Sequence, residues 1–207
     1  MTKRGKTSEM GVSRLMAANH PKKKQTLRNN EYYSTQKLFD DLYERSQRGE
    51  IFTHLMELIS SDQNILLAYR SIKKNKGSKT KGVNSATIIE MGEKHPEELI
   101  SYVRQRLNNF SPHPVRRVEI PKSDGRMRPL GIPTIEDRIV QQCIKQVLEP
   151  ICEAKFYKHS YGFRPNRSAH HAVARAMFLV NIGKFRYVAD VDIHSFFDMV
   201  NHGKLLK

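Results

Sequence analysis

The sequence is short of cysteines, of acidic residues and of long apolar segments. Cys143 and Cys152 are the two cysteines among 207 residues, too few for a disulfide framework or a zinc site, so we expect two reduced thiols. No apolar stretch approaches the roughly 20 residues of a membrane-spanning helix, and no signal-peptide core follows the basic start. These absences predict a soluble, cytoplasmic protein that is not embedded in a membrane.

The shortage of acidic residues leaves a large positive charge. The chain has 36 Lys and Arg against 21 Asp and Glu, a net charge of +15. Such a surplus favours a polyanionic partner; nucleic acid is the usual one, and an anionic membrane surface is the competing one. Residues 1–33 are rich in basic and poor in large apolar side chains, which predicts a flexible basic arm. The arm either orders on RNA or serves only as a solubilising tail.

Residues 34–110 are predicted to be mainly helical. Four stretches carry apolar residues at the spacing of amphipathic helices, and they cover 34–48, 51–60, 62–75 and 95–108. Between the third and fourth lies Asn75–Ile88, a loop rich in glycine and lysine that we call the lid loop.

Residues 111–185 are predicted to hold a β-hairpin and two helices. Two β-type runs flank Ser123-Asp124-Gly125, which is typical of a hairpin turn. Thr134 predicts a helix N-terminus in the manner of a capping box with Asp137, and Pro150 predicts its end. A second helix is predicted to start after Ser168. The apolar residues of the first helix that recur at helical spacing are expected in a core: Ile139, Val140, Cys143, Ile144, Val147 and Leu148.

The alternating run FRYVADVDI, residues 185–193, predicts a strand that leads into the last region, residues 186–207. The whole pattern therefore indicates the α+β class. The run ends in Asp190 and Asp192, with Asp198 close behind. Carboxylates at the end of a strand can hold Mg²⁺ against a phosphate. The competing interpretation is that Asp192 or Asp198 caps a helix beginning near Ser195.

Two basic clusters are candidates for phosphate contacts. Lys122 and Arg128 flank the hairpin turn, so the paired hairpin would bring both cations to one tip. Arg164 and Arg167 precede the helix predicted after Ser168, whose N-terminus suits an anion. Taken alone, a basic hairpin is more often a solvated surface or a contact to a nucleic-acid backbone. For the second cluster, the alternative is a turn whose arginines pair with nearby acids.

Four blocks of the sequence, taken in order, resemble the opening blocks of reverse transcriptases encoded by group II introns. They are NKGSKTKGVNSATI, PVRRVEIPKSDGRMRPLGIPTIEDRIVQQ, SYGFRPNRSAHHAV and YVADVDIHSFFDMVNH. The resemblance covers about residues 50–207. It implies a fingers region built from helices and the hairpin, followed by the first strand of a palm, and it implies RNA-directed DNA synthesis in intron splicing and mobility.

The resemblance implies roles at the reacting end. Asp192 matches the first catalytic aspartate, a Mg²⁺ ligand, with the backbone carbonyl of Ile193 as a further ligand. Phe197 matches the aromatic residue under the sugar of the incoming nucleotide. Lys122 and Arg128 match residues that contact the triphosphate of a dNTP.

It also implies contacts to nucleic acid. Lys79, Lys81 and Gly82 match a lid over the template, and Arg164 and Arg167 fall in a block associated with the template RNA and DNA primer. Group II intron RNA is the further partner that the family implies. The oligomeric state is open.

The sequence departs from the family pattern in two places. Asn84 and Ser85 stand where the family usually has Asp and Gly, so the lid's turn is expected to differ. The sequence also reaches Lys207 without a YADD-type block, thumb or maturase domain, so we expect this chain alone to be catalytically incomplete. Two alternatives stay open: a non-catalytic RNA-binding module that assists intron folding, and a nucleotide-sugar transferase with Asp190–Asp192 as a D-x-D metal site.

Overall fold

The computed structural model describes residues 33–121, 123, 125–194 and 196–205. Residues 1–32 of the predicted basic arm and Lys122 therefore lie outside the described residues. The chain forms two compact units, one ending at Phe156 and one beginning at Tyr157. That boundary falls inside the predicted 111–185 region.

The described residues form helices and one two-stranded antiparallel sheet, so the predicted α+β class is confirmed. The elements of the first unit are α1 (Gln36–Gln47), α2 (Leu55–Ile59), α3 (Asp62–Lys74), α4 (Ile88–Glu93), α5 (Pro96–Asn108), β1 (Arg116–Pro121), β2 (Met127–Ile132) and α6 (Ile135–Glu153). Those of the second unit are α7 (Ala169–Asn181), α8 (Phe196–Met199) and α9 (His202–Leu205).

Helix α6 lies at the centre of the first unit, where α1, α2, α3 and α5 pack around it. Its fully buried apolar residues recur every three or four positions, as an amphipathic helix requires: Ile135, Ile139, Val140, Cys143 and Val147. Ile144 is partly buried against this core. Leu148 is 37% exposed, so its predicted core position is wrong. It lies beside the buried stripe rather than on it.

Helix α6 does not end at Pro150 as predicted, but continues to Glu153. A proline inside a helix removes one backbone donor and crowds the preceding turn. Here tertiary contacts hold the last turn in place. Ile151 is buried, and the Ser46 hydroxyl donates a hydrogen bond of 2.7 Å to its carbonyl oxygen.

Two short helices differ from the predicted pattern. The helix predicted over 51–60 is reduced to α2, because His54 adopts a left-handed backbone with φ of 58° immediately before it. Helix α4 was not predicted, although its N-terminus carries a capping box. The Thr87 side chain accepts from the Glu90 N–H, and the Glu90 carboxylate accepts from the Thr87 N–H.

The second unit contains α7 but no strand among its described residues. Ser168 caps α7 as predicted, since its hydroxyl accepts from the His171 N–H at 3.4 Å. The predicted strand over 185–193 is absent, and that prediction is wrong for this structure. Backbone groups become a strand only when a neighbouring strand pairs with them, and none of the described residues of this unit does so.

Candidate nucleic-acid interface

The hairpin brings Arg128 close to its turn. Ile120 of β1 pairs with Arg128 of β2, one step from the last pair, Pro121 with Met127. Gly125 closes the turn with φ of +81°, a conformation that glycine adopts without steric cost. The predicted hairpin and its turn are therefore confirmed.

Arg128 lies on the more apolar face of the hairpin. Residues paired across an antiparallel ladder share a face, so Arg128 lies on the side of Ile120 and Val118. It is exposed, and no hydrogen bond or ion pair joins its side chain to any residue that the structure describes. The guanidinium group is thus available to an anion. Its predicted companion Lys122 lies outside the described residues.

The lid loop packs its backbone closely against the start of α6. A Cβ atom built on Gly82 would lie 2.7 Å from Thr134 Cα and 3.0 Å from the Pro133 carbonyl oxygen. No larger residue fits at such distances without a shift of the backbone. Gly82 is therefore required for packing, whatever contact it makes with a template.

Two arginines hold the lid loop by its carbonyl oxygens. Arg138 of α6 donates to the carbonyls of Gly77 at 3.1 Å and Thr80 at 2.8 Å. Arg116 of β1 donates to the carbonyl of Lys81 at 3.0 Å. Since the backbone makes these contacts, the ammonium groups of the loop are left for other partners. Lys79 and Lys81 are both exposed, and residues 80–85 with Arg116 line an open groove.

Asn84, the departure from the family pattern, makes a specific contact in this chain. Its Nδ2 donates to Glu136 Oε1 at 3.0 Å. An aspartate could not donate there and would face the Glu136 carboxylate at hydrogen-bonding distance. The Asn84 amide thus supplies the donor that the Glu136 carboxylate accepts. Asn84 Oδ1 and Glu136 Oε2 are buried with no hydrogen-bond partner among the described residues.

A buried ion pair anchors the base of the hairpin. Asp137, whose side chain is 3% exposed, accepts from Arg106 Nη2 at 2.5 Å and from the His113 backbone N–H at 2.9 Å. Burial by itself would raise the pKa of Asp137, but hydrogen bonds from His113 and Arg106 outweigh it and lower that pKa. The Thr134 hydroxyl accepts from the Asp137 N–H, so the predicted helix start is confirmed. The carboxylate does not complete a capping box and instead faces the chain that leads into β1.

The second unit holds the other predicted contact residues. Arg164 Nη1 donates to the carbonyls of Tyr157 at 2.7 Å and Ser160 at 2.9 Å, which fixes the loop before α7. Arg167 is exposed, with its guanidinium 5.9 Å from the centre of the Tyr161 ring. Neither of these contacts involves a carboxylate, and the alternative of pairing with nearby acids stays open.

The predicted metal ligands lie in an irregular exposed segment of the second unit. Asp192 is exposed, and Ile193 is 65% exposed. The Phe197 side chain lies outside what the structure describes. Within the described part of the chain, no group of three or more His, Cys, Asp or Glu residues could hold a metal ion. A carboxylate and a backbone carbonyl are hard oxygen donors that suit Mg²⁺, so they fit part of such a site.

Sequence reasoning missed Arg106, Arg116 and Arg138. Besides nearer contacts, each of them binds a carbonyl or carboxylate oxygen that lies 31 to 61 positions away in the sequence. Apolar periodicity carries no information on such contacts. The one signal in the sequence is the clustering of charged residues in the first turn of α6, and by itself this cluster predicts only a helix start.

Comparison with known proteins agrees with the sequence blocks. The family model described as reverse transcriptase (RNA-dependent DNA polymerase) matches residues 120–207. Protein YkfC of Escherichia coli K12 is 40% identical over 158 residues, which are 74% of this chain and 41% of that protein. The group II intron-encoded protein LtrA of Lactococcus lactis subsp. cremoris is 33% identical over 175 residues, 83% of this chain and 28% of LtrA. A putative COX1/OXI3 intron 2 protein of Saccharomyces cerevisiae is 33% identical over 156 residues, 75% of this chain and 18% of its own length.

The chain thus spans less than half the length of these relatives. No described helix has the length and apolar character needed to cross a membrane.

Proposed function

Because the chain belongs to the family of reverse transcriptases and maturases encoded by group II introns, we propose that it is the fingers and early palm of an RNA-directed DNA polymerase. The enzyme would act in intron splicing and mobility, on intron RNA, a template RNA, a DNA primer and dNTPs. Activity is proposed for the whole enzyme, since this chain spans only part of its relatives. Location in the cytoplasm stays a prediction.

The lid loop is the observation that supports this function most directly. Its carbonyl oxygens face inward to Arg116 and Arg138, and Lys79 and Lys81 are exposed. A loop held by its backbone keeps a fixed path while its cations face solvent. Phosphate contacts of this kind bind and align a strand without reading its sequence, which suits a polymerase that copies any template.

Arg128 and Lys122 would receive the triphosphate of the incoming dNTP. The exposed guanidinium of Arg128, which pairs with no residue that the structure describes, suits this role, because arginine presents several donors in a fixed plane. Phe197 would lie under the sugar and disfavour a 2′-hydroxyl by contact. Arg164 and Arg167 would lie along the template and primer.

Asp192 and the carbonyl of Ile193 would hold Mg²⁺ together with carboxylates from elsewhere in the whole enzyme. When bound, the metal neutralises charge that develops on the phosphate oxygens during transfer. What the chain itself provides is an exposed carboxylate two residues from a second one, Asp190.

An RNA-binding role without catalysis is the second candidate. The net charge of +15 and the exposed lid lysines favour it equally. The two functions differ in their dependence on Asp192, which RNA binding does not need.

The test is single-nucleotide addition by the whole enzyme with Asp192→Ala, and with Asp190→Ala as a matched control in the same exposed segment. Loss of the Asp192 carboxylate should lower kcat by about 10³-fold or more with dNTP binding retained. The control should keep most of its activity. Phe197→Ala should instead admit ribonucleotides. Near-normal kcat in Asp192→Ala would favour the helix-cap role and leave RNA binding as the function.

A further inference from the structure

Arg138 makes an unusual set of contacts for an arginine in a helix. Its guanidinium donates to three backbone carbonyls, those of Pro133 at 3.0 Å, Gly77 at 3.1 Å and Thr80 at 2.8 Å. No ion pair joins it to an acidic side chain within the described residues. The side chain is half-buried, and burial followed by the nearby charge of Arg116 lowers its pKa. Because the described contacts of this partly desolvated charge are all to backbone carbonyls, the side chain acts to hold that backbone in place.

Arg138 holds the turn formed by residues 77–80 of the lid loop. Gly77 and Thr80 are joined by a backbone hydrogen bond of 3.0 Å, from the Thr80 N–H to the Gly77 carbonyl. Arg138 thus binds both ends of one turn, directly before Lys81 and Gly82. One guanidinium donates to both carbonyls at once, through Nη1 to Gly77 and Nη2 to Thr80, and its charge strengthens both hydrogen bonds.

The neighbouring residue in α6 serves the hairpin. Asp137 binds the backbone of His113 in the segment that enters β1. Successive residues on a helix point in directions about 100° apart, so the two side chains reach different parts of the chain from one helical turn. The lid loop and the hairpin base are therefore fixed to a common element of the first unit.

We propose that Arg138 is a positioning residue that holds the lid loop in the conformation in which Lys79 and Lys81 meet a template backbone. The inference rests on the proposed function for the role of the lid. The hold itself is a property of the free protein. Arg138 acts through the lid carbonyls and does not touch nucleic acid or the reacting atoms.

The test uses the 207-residue chain with three substitutions. Arg138→Met removes the charge and the donors, and Arg138→Lys keeps the charge but not the planar set of donors. Lys145→Met is the matched control, because Lys145 lies exposed on the same helix and pairs with Glu149. It removes the same unit of charge without touching the lid loop.

Hydrogen exchange at the Ser78 and Thr80 amides decides the inference. We expect exchange to become tenfold or more faster in both Arg138 variants, with unchanged exchange in the Lys145 variant and at core amides such as Val103. Tenfold corresponds to the loss of about one charge-assisted hydrogen bond. The inference would be overturned if exchange at the Ser78 and Thr80 amides were unchanged in Arg138→Met, or if these amides exchanged as slowly in Arg138→Lys as in the unsubstituted chain.

The affinity for a labelled single-stranded RNA then measures what release of the lid loop does to RNA binding. Arg138→Met should weaken binding several-fold more than Lys145→Met, since both lose one charge but only the first releases the lid. Equal weakening would mean that Arg138 contributes charge alone and would refute its positioning role. If the unsubstituted chain binds no RNA, the proposed function fails, and lid exchange still decides whether Arg138 holds the loop.

Discussion

Replacing Asp137 by asparagine should destabilise the first unit more than any exchange of a surface acid. The Asp137 carboxylate is 3% exposed, and the Arg106 side chain that it neutralises is 17% exposed. Breaking one side of a buried ion pair leaves an uncompensated charge, which typically costs about 3–5 kcal/mol. Asparagine keeps one acceptor for the His113 N–H, so we expect about 3 kcal/mol. With an m-value of about 2 kcal/mol/M, the urea midpoint should fall by about 1.5 M.

Asp62→Asn provides the matched control. Asp62 forms an ion pair with Arg104, but their side chains are 56% and 44% exposed, so the same chemical change should cost less than about 1 kcal/mol. The sequence contains no tryptophan, so unfolding is best followed by far-ultraviolet circular dichroism of the helices. Equal midpoints for the two variants would refute the anchoring role of Asp137.

The pH dependence gives the same prediction an independent check. The pKa of Asp137 is lowered in the folded protein, so its ionised form stabilises the fold. That contribution is present above the unfolded value of about 3.9 and is lost as pH falls through the lower folded value. The difference in unfolding free energy between the parent chain and Asp137→Asn should therefore be full at pH 7 and shrink below about pH 4. A difference that grew at low pH would contradict it.

Three further predictions concern the chain as it stands. Purified 1–207 should not extend a primer, because one aspartate cannot place two metal ions; Mg²⁺-dependent incorporation of dNTPs that Asp192→Asn abolishes would contradict this. The chain should bind RNA with a steep salt dependence, and removal of residues 1–30 should flatten the slope of log affinity against log salt; an unchanged slope would make the arm a mere tail. Burial raises the pKa of Cys143 to about 12, whereas Cys152 is exposed. A thiol reagent at pH 8 should therefore label only Cys152 in the native chain and both cysteines in guanidinium. The variant Cys152→Ser should abolish labelling of the native chain.

Elements that depend on local sequence were predictable. The stripe of α5, with Leu99, Ile100, Val103 and Leu107, is fully buried as its spacing predicts. The hairpin followed from its turn residues, and the start of α6 from Thr134. In each case the residues that predict the element lie within it or a few positions from it.

Elements that depend on distant partners were not predictable. The last turn of α6 persists through Pro150 because a hydroxyl from α1, 105 residues earlier, meets the Ile151 carbonyl. The alternation of FRYVADVDI was a sound sign of a strand, yet a strand also needs a partner. The candidate residues divide in the same way, since motifs pointed to Arg128 and Asp192 but not to Arg138.

The residues around Asp192 are exposed because no strand pairs with them among the residues that the structure describes. Tyr187, Val188 and Val191 are each at least 85% exposed, which is unusual for apolar side chains that alternate with carboxylates. A strand that gains a ladder on either side buries such residues and fixes the direction of the carboxylates between them. Metal binding needs that fixed direction, because ligands must converge on one point. In the proposed enzyme, therefore, strand formation by residues 185–193 and assembly of the metal site would be one event, and Asp192 would become a ligand only when its backbone is paired.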